Sequence, residues 1–199
     1  MDTLNKDELF TISIHLDLPD LVRFCSLNKK FNEICPNVWR SKIAKEFPEF
    51  QYDKLSDELK KLSLQNIYIL LYTKKVCKWR GSIDRLFLAE MIDLHSDKGR
   101  NDISIIPEYL YLPHLKELFL YSNNISRIPS TLNLPNLEEL WIFNNPIKFW
   151  PKNFNMSKLK ILHLDQTGIP QNLLKYYTKK YPHVKIFPYV RIREKKKEL

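Results

Sequence analysis

The chain has 199 residues, 44% of them hydrophobic, a net charge of +9 and three glycines. It is long and apolar enough to bury a core of its own, which sets general disorder aside. Its longest apolar run, Ile67 to Tyr72, is far below the roughly 20 residues of a membrane span, so no membrane partner is expected.

The first fifty residues lack strand alternation and read as short amphipathic helices. Leu9, Ile12 and Leu16 share one helical face; Leu21, Phe24, Cys25, Phe31 and Ile34 continue the pattern after the LDLPD segment. Asp17 or Asp20 can cap the second helix, and Pro19 suits its first turn. Trp39 is expected to follow a short loop containing Pro36. About forty residues make a small core, which invites completion by a partner.

The residues Leu4, Asp7, Leu9, Ile12, Leu16, Asp20, Leu21, Phe24, Leu27, Lys30, Phe31, Ile34, Val38 and Trp39 follow in the order of the F-box pattern, and the stretch from Leu4 to Trp39 resembles that family. Asn5 stands where the family has proline, and Glu8 where an apolar residue is usual. The resemblance implies that residues 1–43 form a helical head docking on the Skp adaptor, and through it on cullin, of a ubiquitin ligase. The residues it assigns to that contact are Leu4, Leu9, Ile12, Leu16, Leu21 and Trp39. The alternative is that these side chains pack only on each other and on the following segment.

Residues 44–90 read as a helical linker, with a cap at Ser56 or Asp57 and apolar positions at Leu59, Leu62, Ile67, Leu70 and Leu71. Such a connection is stiff rather than Gly/Ser-flexible.

From residue 91 to 172 the chain repeats itself. LKELFLYSNNISRIP, starting at Leu115, returns as LEELWIFNNPIKFWP from Leu137, and Leu159, Leu162, Leu164, Thr167 and Ile169 begin a third copy. The spacing is 22 residues throughout. Asn101, Ile103, Ile106, Pro107 and Leu110 fit the second half of an earlier copy, whose strand half, Ile92 and Leu94, fits only with a four-residue insertion. The pattern resembles the leucine-rich repeats, LxxLxLxxNxL. Leu118 and Leu120 alternate on a short strand and point to one interior, which stacked coils make continuous. The resemblance implies that Asn123 and Asn145 bond backbone groups of adjacent coils; Pro129 and Pro151 predict an extended convex side rather than long helices.

Between the buried leucines, Glu117, Phe119 and Tyr121, then Glu139, Trp141 and Phe143, then His163 and Asp165, face outward on the concave sheet. Clustered outward aromatics are the stuff of binding hot spots, so these residues are the candidate surface for a target protein. The alternative is that a neighbouring segment folds over them.

Residues 173–199 predict a short helix ending before Pro182, a strand from Val184 to Phe187, and a basic tail, RIREKKKEL. The chain's positive excess lies in residues 151–199, much of it in this carboxyl-terminal segment, as expected of a solvated terminus, so nucleic acid is not an expected partner. Cys25, Cys35 and Cys77 form no CxxC pair and are expected to be reduced, buried thiols. No phosphate-cradling, zinc-binding or nucleophile-elbow motif occurs, and His163 with Asp165 lacks an adjacent nucleophile; no enzyme activity, metal or cofactor is expected. The amino terminus has no apolar signal region, which predicts an intracellular protein. The terminal KKEL resembles a retrieval signal without that leader.

The expectation is therefore an α+β chain: an all-helical F-box-like head and linker, then a short leucine-rich solenoid with a parallel concave sheet. It would serve as the substrate-recognition subunit of a cullin-RING ligase, or alternatively as an interaction scaffold without ligase recruitment.

Overall fold

A computed structural model describes residues 4–96, 102–151, 154–155 and 157–187. Asn101 and the basic tail lie outside these residues. The described chain is α+β, with six helices before the first strand: α1 (Lys6–Ser13), α2 (Leu18–Ser26), α3 (Lys29–Glu46), α4 (Asp57–Lys60), α5 (Leu64–Val76) and α6 (Ile83–Phe87). Five parallel strands follow in sequential order, β1 (Met91–Asp93), β2 (Glu117–Phe119), β3 (Glu139–Trp141), β4 (Ile161–His163) and β5 (Lys185–Phe187), with α7 (Gln171–Lys180) between the last two.

Each early helix starts where a polar side chain satisfies backbone donors that the first turn leaves open. Asn5 accepts from the amides of Asp7 and Glu8, both at 2.9 Å, while the Glu8 carboxylate accepts from the Asn5 amide at 2.8 Å. This reciprocal capping box gives the two departures from the F-box pattern a local purpose. Asp17, rather than Asp20, caps α2 by accepting from the Asp20 amide, and Pro19 sits in its first turn. Asn28 caps α3 and Ser56 caps α4.

The loop expected around Pro36 does not form: α3 runs through it to Glu46 and across the expected boundary at residue 43. Phe31, Ile34, Cys35, Val38, Trp39, Lys42 and Ile43 are all buried, an unbroken i, i+3, i+4, i+7 stripe. Asn32 and Pro36 are both exposed, so the Asn32 carbonyl that loses its donor faces water. Burial of the stripe offsets the break.

The thiol expectation is corrected for two of the three cysteines. α2 and α3 pack with Cys25 and Cys35 joined in a disulfide, their Cα atoms 5.9 Å apart. Cys77 is a buried free thiol, and burial pushes its pKa up to about 12. Within the same core, Lys42 is buried and donates to the carbonyls of Leu16 (2.9 Å) and Ile14 (3.4 Å) just past the end of α1, and it pairs with Glu46 at 3.1 Å. Glu46 in turn accepts from the Tyr68 hydroxyl at 2.7 Å. This buried cation is satisfied by α1, α3 and α5 together, which ties their orientation.

A single apolar core runs from Leu9 through the linker to Val184. Trp39 and Phe47 of the α3 region meet Tyr68 of α5 at ring separations of 5.3 and 5.7 Å, and Phe87 at the end of α6 meets Tyr111 and His114 at 6.0 and 5.2 Å. No helix of the described residues is long and apolar enough to cross a membrane.

Candidate functional site: the outward face of the sheet

The interior of the repeats sets the geometry of the surface. Leu118, Leu140 and Leu162 lie in register at the centres of β2, β3 and β4 and are buried, as is Ile92 in β1. Ile92 pairs with Leu118, 26 residues away, so the first coil does take the 22-residue period plus four. Asn123 and Asn145 stitch neighbouring coils. Asn145, 2% exposed, donates to the carbonyls of Leu120 (2.9 Å), Ile142 (3.0 Å) and Phe143 (3.2 Å), and accepts from the Ile125 amide at 2.9 Å. Asn123 repeats this one coil earlier, accepting from Ile103 and donating to Leu94, Leu120 and Tyr121. Ser122, Asn144 and Gln166, each 22 residues apart, adopt positive φ of 57°, 53° and 53°, turning every coil at the same place.

With the leucines inward, alternate residues form outward rows. Glu117 pairs in register with Glu139 and then Ile161; the next row is Asp93, Phe119, Trp141, His163 and Phe187. Phe119 and Trp141 rings lie 5.7 Å apart, Trp141 and His163 4.9 Å, and His163 and Phe187 5.2 Å. Beyond the strands, Tyr121 stacks on His95 at 4.5 Å and on Phe143 at 4.6 Å, and Phe143 contacts His163 at 4.8 Å. All six residues Phe119, Tyr121, Trp141, Phe143, His163 and Asp165 are half-buried, and the five rings among them pack against one another. The expected two-by-two patch is thus part of a larger aromatic surface. His95 and Phe187 were missed because they fall outside the 22-residue spacing, although their alternation with Asp93 and Lys185 marks them as outward.

The His163 Nε2 lies 2.7 Å from Asp165 Oδ2, while His163 Nδ1 and Asp165 Oδ1 are buried without a hydrogen-bond partner. At the other end of the face, His95 Nδ1 lies 2.5 Å from Asp93 Oδ1. The Trp141 indole N–H donates to Glu139 at 3.0 Å, fixing the ring beside a carboxylate. Along one margin, Lys116 pairs with Glu90 at 2.8 Å and Lys160 with Glu138 at 2.5 Å. The bond from Lys116 to Glu90 holds that ammonium above its ordinary pKa, and the bond from Lys160 holds the Glu138 carboxyl below its own.

Residues 113–155 match the family model for Leucine Rich repeats (2 copies). The leucine-rich coils of β1 and β4 flank that stretch and pair in register with it. No F-box model matches the amino-terminal residues. No curated protein matches the chain.

The residues assigned to adaptor contact separate into two groups. Leu9, Leu21 and Trp39 are buried in the head's own core, so in this fold they hold the helices together rather than meet a partner. Leu4 and Leu16 are half-buried, and Ile12 is 49% exposed; Leu27, 61% exposed, is the other open aliphatic residue among the head's described residues. Elsewhere, a cavity of about 700 Å³ between α3, α5 and α6 is walled by Phe47, Phe50, Leu71 and Trp79. Among the described residues, no group of three or more His, Cys, Asp or Glu side chains is placed to hold a metal ion.

Proposed function

We propose that the chain is a non-enzymatic substrate receptor of a cullin-RING ubiquitin ligase, its head docking on the Skp adaptor and its sheet face binding the target protein. The observation that carries the target-binding half is the half-open aromatic face, built on leucine-rich repeats of a kind suited to protein–protein interaction. Rigid aromatics held by their neighbours offer contact area at small entropic cost. The adaptor half rests on the F-box-like order of residues from Leu4 to Trp39 and on the exposed aliphatics Ile12 and Leu27. The continuous core from head to repeats supports a fixed relation between the two surfaces.

Copurification with the Skp adaptor tests this reading. Wild type should capture the adaptor, and a folded Ile12→Asp, Leu27→Asp double variant should lose it. A folded wild type that captures no adaptor would leave a repeat-based interaction scaffold. The closure of the head's core by its own Leu9, Leu21 and Trp39 favours that second reading.

A further inference from the structure

The charge of the sheet face runs against that of the chain. The outward rows carry Asp93, Glu117, Glu139 and Asp165 against a single ammonium, Lys185 on the last strand, whereas the whole chain is +9. Asp93 and Asp165 each have a histidine beside them. Glu117 and Glu139 differ: they stand in register on adjacent strands, and no Lys, Arg or His of the described residues lies within 4.0 Å of either. Like charges at such positions repel, and adjacent strands are about 4.8 Å apart. Their neighbours one residue away, Glu90, Lys116, Glu138 and Lys160, alternate in sign across the strands and pair off. The outward pair thus stands without a cationic partner among the described residues beside a neutralised margin, with the Trp141 indole bonded to one of its members.

We propose that this face recognises an arginine-bearing segment of the target, the guanidinium bridging Glu117 and Glu139 and lying against Trp141 and Phe119. The proposal rests on the reading of the face as the target-binding surface. A planar guanidinium with five donors spans two carboxylates at strand spacing and stacks on aromatic rings, which an ammonium does less well. Met91, exposed on β1, and Ile161 on β4 continue the glutamate row and would receive apolar residues on either side of the arginine. The chain's overall positive charge opposes unspecific attraction of a cationic segment, so capture has to come from this local pair.

The test is fluorescence anisotropy of a short labelled peptide carrying arginine between phenylalanine and leucine, with matched citrulline, lysine and glutamate versions, titrated with the full chain. The arginine peptide should bind best. Glu117→Gln with Glu139→Gln should weaken it about tenfold or more, with thermal stability unchanged or raised by removal of the repulsion. Equal binding of the arginine and citrulline peptides, or of the arginine peptide to wild type and the double variant, would overturn the proposal. Preference for the citrulline or glutamate peptide, abolished by Trp141→Ala, would overturn the arginine assignment while leaving the face as the target surface. Binding of the arginine peptide that survives both Trp141→Ala and the glutamine variant would place it elsewhere and count against both readings. Failure of all four peptides to bind would overturn the arginine proposal.

Discussion

The helical head and the repeat face use the same kinds of side chain to opposite ends. In the head, Leu9, Leu21 and Trp39 are sealed in the shared core, and the aliphatics left open among its described residues are Ile12 and Leu27. On the repeats, the leucines of each strand do the sealing, and the aromatics between them are left half-open on a rigid sheet. Burial, rather than hydrophobicity, therefore tells which residues serve the fold and which are free to serve a partner.

The sharpest way to break that comparison is at α1. Leu9→Asp places an unpaired carboxylate in the core and should cost about 4 kcal/mol or more, whereas Ile12→Asp, one turn along, should cost about 1 kcal/mol or less. Urea denaturation measures both; equal costs would mean that α1 does not pack as described. Next comes the asparagine ladder. Asn145→Ala strands the Ile125 amide and the Ile142 carbonyl, while the Leu120 and Phe143 carbonyls keep Asn123 and the Ser122 amide, and should lose about 3 kcal/mol, with Asn123→Ala less damaging because it is more exposed. The reverse order would show that the coils are not stitched alike.

The disulfide closes a short loop, with a sequence separation of 10, so Cys25→Ser with Cys35→Ser should lower head stability by about 2–3 kcal/mol. The same loss should follow addition of reductant to the wild type. The smallest effect is expected at the turn position of the third coil. Gln166 holds a positive φ that Asn144 holds in the coil before, and Gln166→Asn should raise stability by about 0.5 kcal/mol. A loss instead would mean that Gln166 makes a contact worth more than its strain.

Much of the repeat half was legible because its signal is periodic. A fixed spacing places Leu118, Leu140 and Leu162 in register and hence the aromatics opposite them, and the structure keeps that register to the residue. The four-residue insertion hid His95, and the step from β4 to β5 hid Phe187; both sit outside the arithmetic while obeying the strand alternation. In the head, two local signals in the sequence point away from the F-box pattern at Asn5 and Glu8 and from a loop at Pro36. Asn5 and Glu8 spell a capping box, and the stripe from Phe31 to Ile43 keeps helical period through Pro36, so tertiary burial outweighs the local cost of the proline. Lys42 was not legible, because a lysine inside an apolar stripe announces neither its burial nor the Ile14 and Leu16 carbonyls it serves. Nor was the disulfide, which depends on how α2 meets α3 in space.

The division of labour between head and face is tested most directly by titrating purified Skp adaptor into three proteins: wild type, Ile12→Asp with Leu27→Asp, and Trp141→Ala with Phe143→Ala. On the proposed function, the wild type and the sheet-face variant should bind the adaptor with the same affinity, while the head variant, still folded by circular dichroism, should not bind. Loss of adaptor binding in the sheet-face variant, or its retention in the head variant, would contradict the proposed division between an adaptor-binding head and a target-binding face.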